Sequence, residues 1–260
     1  MNAFIKNYWK TLLFFALIGL VSGVFVGFYA LDSYPESIRQ QIVAEADAAG
    51  LGGLPLAWVM AVTTALQSAG YGLVLGAVGI FLGKKTDLWK DERTIAKKPL
   101  LITVAIAIFG GAVMILADLL FFGNYSQVIA DSYLTKPAVS YMIAAVFYGG
   151  VIEEVMLRLF MMSLIAFLLH KLFGKGKAWP DTWMLVTSNI LAALLFAAGH
   201  LPMTFMTIGN TPMILFRCFL LNGGLGLLFG WLYRRYGLRY AMIAHAGCHV
   251  VSKLIWILFV

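Results

Sequence analysis

The chain has little charge: only 12% of its 260 residues are Asp, Glu, Lys or Arg, against about 25% in a soluble domain. With 62% hydrophobic residues, that excludes a water-soluble globule and defines an integral membrane protein. There are only two cysteines, Cys218 and Cys248. Both lie in apolar runs without CxxC or other metal-type spacing, so a disulfide framework is excluded and both read as small buried apolar residues. No GxSxG or HExxH string occurs, which removes the usual serine elbow and the helical zinc-protease motif. There is no internal repeat and no low-complexity tract, so nothing points to an inverted-repeat transporter. The length leaves room for one membrane domain, residues 1–260, and for no sizeable soluble domain.

What is present is a series of long apolar runs. A spanning helix needs about 20 mostly apolar residues. Seven candidates satisfy this, at roughly 11–30, 55–83, 100–122, 137–169, 183–208, 211–233 and 240–259. The expected fold class is an all-α, polytopic transmembrane bundle of seven or eight helices. The first run follows Lys6 and Lys10, is long for a signal peptide and lacks a small-x-small cleavage site, so it reads as an uncleaved helix. Segment 36–49 is polar and helical in pattern. Gly149-Gly150 is a candidate break or narrowing in the fourth span, and Pro202 a candidate kink in the fifth. Trp58, Trp179, Trp183 and Tyr240 read as interface anchors.

The net charge of +7 has a plain origin. Lys6 and Lys10 precede the first span, and Lys84, Lys85, Lys90, Arg93, Lys97 and Lys98 follow the second. Lys171, Lys175 and Lys177 follow the fourth, and Arg234, Arg235 and Arg239 the sixth. Loop 31–54 instead carries Asp32, Glu36, Glu45 and Asp47 against Arg39. All basic clusters thus fall on one side, which predicts a cytoplasmic N-terminus and an external C-terminus. Basic loops account for the charge, and no nucleic-acid partner is expected. The expected surroundings are the lipid bilayer.

Within these apolar spans lie Glu153, Glu154, Arg158, His200, His245 and His249. Three of the four histidines in the chain belong to this set. Ionisable groups at membrane depth are costly and mark functional sites. On an α-helix Arg158 is about 40° from Glu154, the geometry of an ion pair, and about 140° from Glu153. Glu154 is therefore expected to be neutralised on its own helix, leaving Glu153 as a candidate general base. His245 and His249 share a face of the last span. Three histidines and two carboxylates on three helices are expected to converge on one cavity. Counting about 1.5 Å per residue from Arg239, His245 and His249 lie ~9 and ~15 Å inward, placing the cavity between the midplane and the basic side. Asp118, Arg217 and Lys253 fall in the opposite half and read as snorkelling or mutually paired. Asn222 either bonds across helices or touches substrate.

This inventory suits a hydrolase. A glutamate and a histidine activate water for attack on an amide, and imidazole or amide N–H groups hold the resulting oxyanion. A zinc site built from Glu153, His200, His245 and His249 fits the same residues, and spacing alone leaves both readings open. A third is a non-enzymatic membrane immunity or scaffold protein.

Glu153-Glu154-x-x-x-Arg158, Phe196-x-x-x-His200 and His245 occur in this order on successive spans, with Gly226-x-x-x-Gly230-x-x-Tyr233 before the last histidine. The pattern, over about residues 100–258, resembles the CAAX protease and bacteriocin-processing (abortive-infection) family of intramembrane glutamic endopeptidases. The resemblance implies an endopeptidase without a cofactor, acting on a membrane-associated peptide or protein, with or without a lipid on it. It implies that Glu153 activates water with His200, that Glu154 and Arg158 orient the site, and that His245 binds the oxyanion. Phe196 and Asn222 are the candidates for substrate contact. Where the family has Asn or Asp four residues after the last histidine, this chain has His249, whose imidazole can still donate one hydrogen bond.

Overall fold

The structure, a computed structural model, describes residues 2–91 and 94–260; Arg93 of the basic loop lies outside them. Among the described residues nine helices account for the fold, and there is no strand. Helix α1 spans Asn2–Ser33, α2 Glu36–Ala48, α3 Leu56–Lys85, α4 Lys97–Leu120 and α5 Gln127–Ser132. Helix α6 runs without a break over 139–173. Helices α7 (Thr182–Thr207), α8 (Pro212–Tyr236) and α9 (Leu238–Phe259) complete the bundle. All seven expected spans are helical, and the polar segment 36–49 forms α2. Six helices are long and apolar enough to cross a membrane by length and composition; α6 carries Glu153, Glu154 and Arg158 inside its apolar run.

The outer surface is that of a protein in lipid. Large side chains such as Phe14, Val21, Leu66, Val74, Phe109 and Leu120 are exposed, a coverage that water would not tolerate. Trp58, Trp179 and Trp183 are exposed as well. Tyr240 is not the interface anchor expected of it. Its ring is buried, and its hydroxyl accepts the backbone N–H of Ala96 at 2.8 Å, tying the loop before α4 to the start of α9.

Lipid supplies little hydrophobic drive between helices, so close packing of small residues holds them together. Gly19, Gly23 and Gly27 form a stripe on α1 against Ser68, Ala65 and Ala61 of α3. A Cβ at Gly23 would lie 2.6 Å from the Ala65 Cα. The Thr64 hydroxyl donates to the Gly23 carbonyl at 2.6 Å across the same seam.

Gly149-Gly150 does not break α6 but narrows it. A Cβ at Gly150 would stand 2.5 Å from the Ala246 Cβ and 2.8 Å from its Cα, so the pair lets α9 lie against α6. Pro202 leaves α7 continuous. Between Ala144 and Met162, α6 is almost wholly π-helical, with Glu154 the one α-helical residue in the stretch. Its i→i+5 pattern widens the helix where the carboxylates stand, a device common at functional sites.

Candidate active site

The described site begins with Glu154, fully buried on α6. Its Oε2 lies 3.3 Å from Arg158 Nε one turn on, the ion pair expected from spacing. Its Oε1 accepts Nδ1–H of His245, on α9, at 2.8 Å. The Arg158 guanidinium, 1% exposed, donates through Nη2 to the Gly226 carbonyl of α8 at 3.1 Å. It also lies 4.7 Å from the ring centre of Phe196 and 5.6 Å from that of Phe229. A buried cation thus has a carboxylate, a carbonyl and two aromatic faces, the compensation that burial demands. A Cβ at Gly226 would sit 3.2 Å from Nη2, so the glycine of the Gly-x-x-x-Gly string leaves room for Arg158 to reach backbone. Tyr233 of that string is buried and its hydroxyl lies 2.9 Å from that of Ser163.

His245 is held between two aromatic rings. Phe229 stacks on it, with ring centres 4.6 Å apart and planes 18° from parallel, and Phe196 meets it edge-on at 5.8 Å. Its Nε2 faces Glu153 Oε2 at 3.9 Å. Glu153 is half-buried and shows no ion pair with Arg158 among the described residues. The two adjacent glutamates therefore differ as expected: one is paired and buried, the other faces open space.

That space is a cavity of about 540 Å³ between α1, α3, α4, α6, α7, α8 and α9, within the range of roughly 300–1,000 Å³ usual for ligand sites. Glu153, His200, His245, His249, Phe196 and Asn222 all line it. Glu154 and Arg158 stand behind this wall. On α7, His200 Nδ1 lies 2.8 Å from the Phe196 carbonyl. A carbonyl only accepts, so Nδ1 carries the proton and the Nε2 lone pair is free. His249 lies with its ring centre 5.0 Å from that of His245. Asn222 donates to the Cys218 carbonyl of its own helix at 3.0 Å.

Depth requires a correction. The cavity is also lined by Tyr34, Thr207, Ile208 and Arg217, which lie at the helix ends remote from the basic clusters. It therefore does not sit toward the basic side. Counting along α9 misled, because the helices begin at different depths. At about 1.5 Å per residue, Glu153 is ~30 Å along α6 from Phe173, whereas His245 is only ~10 Å along α9 from Leu238.

Of the other intramembrane charges, Asp118 and Arg217 pair as expected, through two contacts of 2.6 Å, and Tyr133 donates to the same carboxylate at 2.8 Å. Lys253 does neither of the things expected. It is buried, and its ammonium lies 3.1 Å from the Tyr141 hydroxyl and 3.5 Å from His249 Nδ1. Lys253, Tyr141, Phe229 and the Gly226 carbonyl are the parts that sequence reasoning passed over. Lys253 had a usable signal, the i,i+4 spacing from His249 that already linked Glu154 to Arg158. Both cysteines are buried and free. Among the described residues no three His, Cys, Asp or Glu side chains gather closely enough to hold a metal ion.

Fold and site together define a polytopic helical membrane protein with an acid–histidine cavity inside its bundle. The model of one protein family, described as type II CAAX prenyl endopeptidase Rce1-like, matches residues 135–251, the stretch that carries Glu153, Glu154, Arg158, Phe196, His200, Asn222, His245 and His249. Over that stretch the chain is similar to this family of CAAX endopeptidases, in agreement with the resemblance drawn from the motifs. The match supports an intramembrane hydrolase of the CAAX type acting on membrane-associated peptide. No curated protein and no solved structure matches the chain.

Proposed function

We propose that the protein is a metal-independent intramembrane endopeptidase in which Glu153 is the general base. The observation that carries this reading is the split between neighbouring glutamates. Glu154 is held by Arg158 and His245, while Glu153 lines the cavity with three imidazoles.

In this mechanism a water sits between Glu153 and the free Nε2 of His200. Glu153 takes one proton, the new hydroxide adds to the scissile carbonyl carbon, and the carbonyl π electrons move to oxygen. The protonated Glu153 then gives its proton to the departing amine as the C–N bond breaks. The oxyanion forms against His245 and His249. A neutral His245 uses its only N–H on Glu154 and donates from Nε2 only when doubly protonated. His249 needs no second proton to donate. Phe196 shapes the cavity wall beside His200, and Asn222 is placed to meet the peptide.

The substrate is a membrane-associated peptide or protein tail. The zinc reading would need three donors converging on one point, which the spacing of these side chains does not favour.

The test uses purified protein in liposomes and two peptides that differ only in a farnesyl group on a cysteine three residues from the C-terminus. Products are read by mass spectrometry. Wild type is expected to cleave one or both, and Glu153→Gln and His200→Ala to lose at least about 100-fold in rate. Undiminished cleavage by both variants would overturn the assignment.

A further inference from the structure

The oxyanion role assigned above depends on where His249 carries its proton. An imidazole can donate into the cavity only from a protonated nitrogen, and a neutral ring has one. Which nitrogen is protonated follows from what the other one faces.

His249 Nδ1 faces Lys253, one turn further along α9, at 3.5 Å. An ammonium donates and never accepts. Nδ1 must therefore be the acceptor, and the ring proton resides on Nε2. That atom lies beside Gly149, where a Cβ would come within 3.0 Å of it, so a larger residue there would crowd Nε2. Gly149 itself lines the cavity.

Lys253 is unusual in its own right. It is only 6% exposed, and among the described residues it forms no ion pair with a carboxylate. Its support is Tyr141, whose hydroxyl lies 3.1 Å from Nζ and whose ring centre is 4.2 Å away. Tyr141 is in turn stacked on Tyr29 of α1, with ring centres 4.7 Å apart. A buried ammonium without a counter-charge is expensive, and a residue that merely filled space would be apolar. Lys253 also lies beyond the family match, which ends at residue 251.

We infer that Lys253 is a positioning residue: supported by Tyr141, it fixes His249 as the Nε2–H tautomer and so supplies the N–H that holds the oxyanion. The inference deepens the endopeptidase reading and rests on it for the catalytic consequence, but not for the tautomer.

The experiment therefore has two arms. In the first, protein labelled with ¹⁵N-histidine is observed by NMR in detergent. Only four histidines occur, and the His249 signals are those lost in His249→Asn. Wild type is expected to show His249 neutral with the proton on Nε2, and Lys253→Met to move it toward Nδ1–H. A wild-type Nδ1–H ring, or a ring unchanged in Lys253→Met, overturns the inference. The wild-type spectrum decides alone if Lys253→Met does not fold.

In the second arm, cleavage of the farnesylated peptide is compared in two backgrounds. Lys253→Met is expected to lower kcat by about 10-fold or more with KM changed less than about 2-fold, the signature of a lost transition-state contact. In His249→Asn, where an amide donates without any choice of tautomer, the same substitution is expected to cost less than about 2-fold. Equal losses in both backgrounds would show a purely structural lysine and overturn the inference. If wild type cleaves neither peptide, the endopeptidase reading fails while the first arm still stands.

Discussion

His245 Nδ1 lies 2.8 Å from Glu154 Oε1, joining two residues 91 positions apart at the buried centre of the bundle. This contact ties α9 to α6 and sets the orientation of the imidazole that faces the cavity. It also distinguishes the two adjacent glutamates: Glu154 is buried and paired, while Glu153 lines the cavity.

Removing either partner leaves a buried group unpaired. Glu154→Gln or His245→Ala is expected to destabilise the protein by about 3–5 kcal/mol, read as a lowered midpoint of thermal unfolding in detergent. Glu153→Gln is expected to stay within about 1 kcal/mol of wild type while losing activity. If Glu153→Gln proves as unstable as Glu154→Gln, the division of roles is wrong.

Gly150 and Ala246 form the seam that brings α6 and α9 together. Gly150→Val places a side chain 2.5 Å from Ala246 Cβ, and overpacking of this kind costs about 1–3 kcal/mol or more. It is expected to push α9 off α6 and abolish both stability and cleavage. Gly224, within α8, has nothing within 4 Å of its notional Cβ. Gly224→Ala should therefore be neutral or stabilising by up to about 1 kcal/mol. Unfolding midpoints of the two variants, measured side by side, check the contrast.

Metal dependence can be settled directly. Protein treated with a tight chelator and verified metal-free by elemental analysis is expected to cleave at the wild-type rate. Loss of activity that returns on adding zinc would favour the alternative in which the same glutamate and histidines act as ligands.

Orientation is tested by cysteine labelling from outside intact cells. The native cysteines are silent, since Cys218 is 1% and Cys248 0% exposed. Glu45→Cys, in α2, is expected to react with a membrane-impermeant maleimide. Lys177→Cys, in the basic loop after α6, is expected to react only after permeabilisation. The reverse pattern would invert the topology and place the polar loop inside the cell.

Much of this protein was legible before folding. The long apolar runs dictated where helices must cross lipid, because an unpaired backbone is intolerable there. The scarcity of charge made each intramembrane ionisable residue conspicuous, and Glu153, His200, His245 and His249 do share one cavity. The i,i+4 rule found Glu154–Arg158 because that pairing is local. The same rule applied to His249 would have found Lys253, which had instead been placed with the snorkelling charges. Asp118 and Arg217, 99 residues apart, were by contrast only grouped with Lys253 as charges that snorkel or pair, because spacing says nothing about which distant helices meet.

What the amino-acid order could not express is direction across helices. Whether Glu154 meets His245 depends on α6 lying against α9, and that approach rests on Gly150 and Ala246 touching. The π-helical stretch over Ala144–Met162 alters the angle between successive side chains, so an α-helical count is unreliable just where the carboxylates stand. The cavity's depth likewise depends on how far each helix projects, which no single helix reveals. Composition and spacing determined a membrane bundle with a set of costly polar residues. Tertiary packing decided which nitrogen of His245 carries its proton, because a ring's tautomer is set by the partner it meets, and that partner, Glu154, stands on another helix.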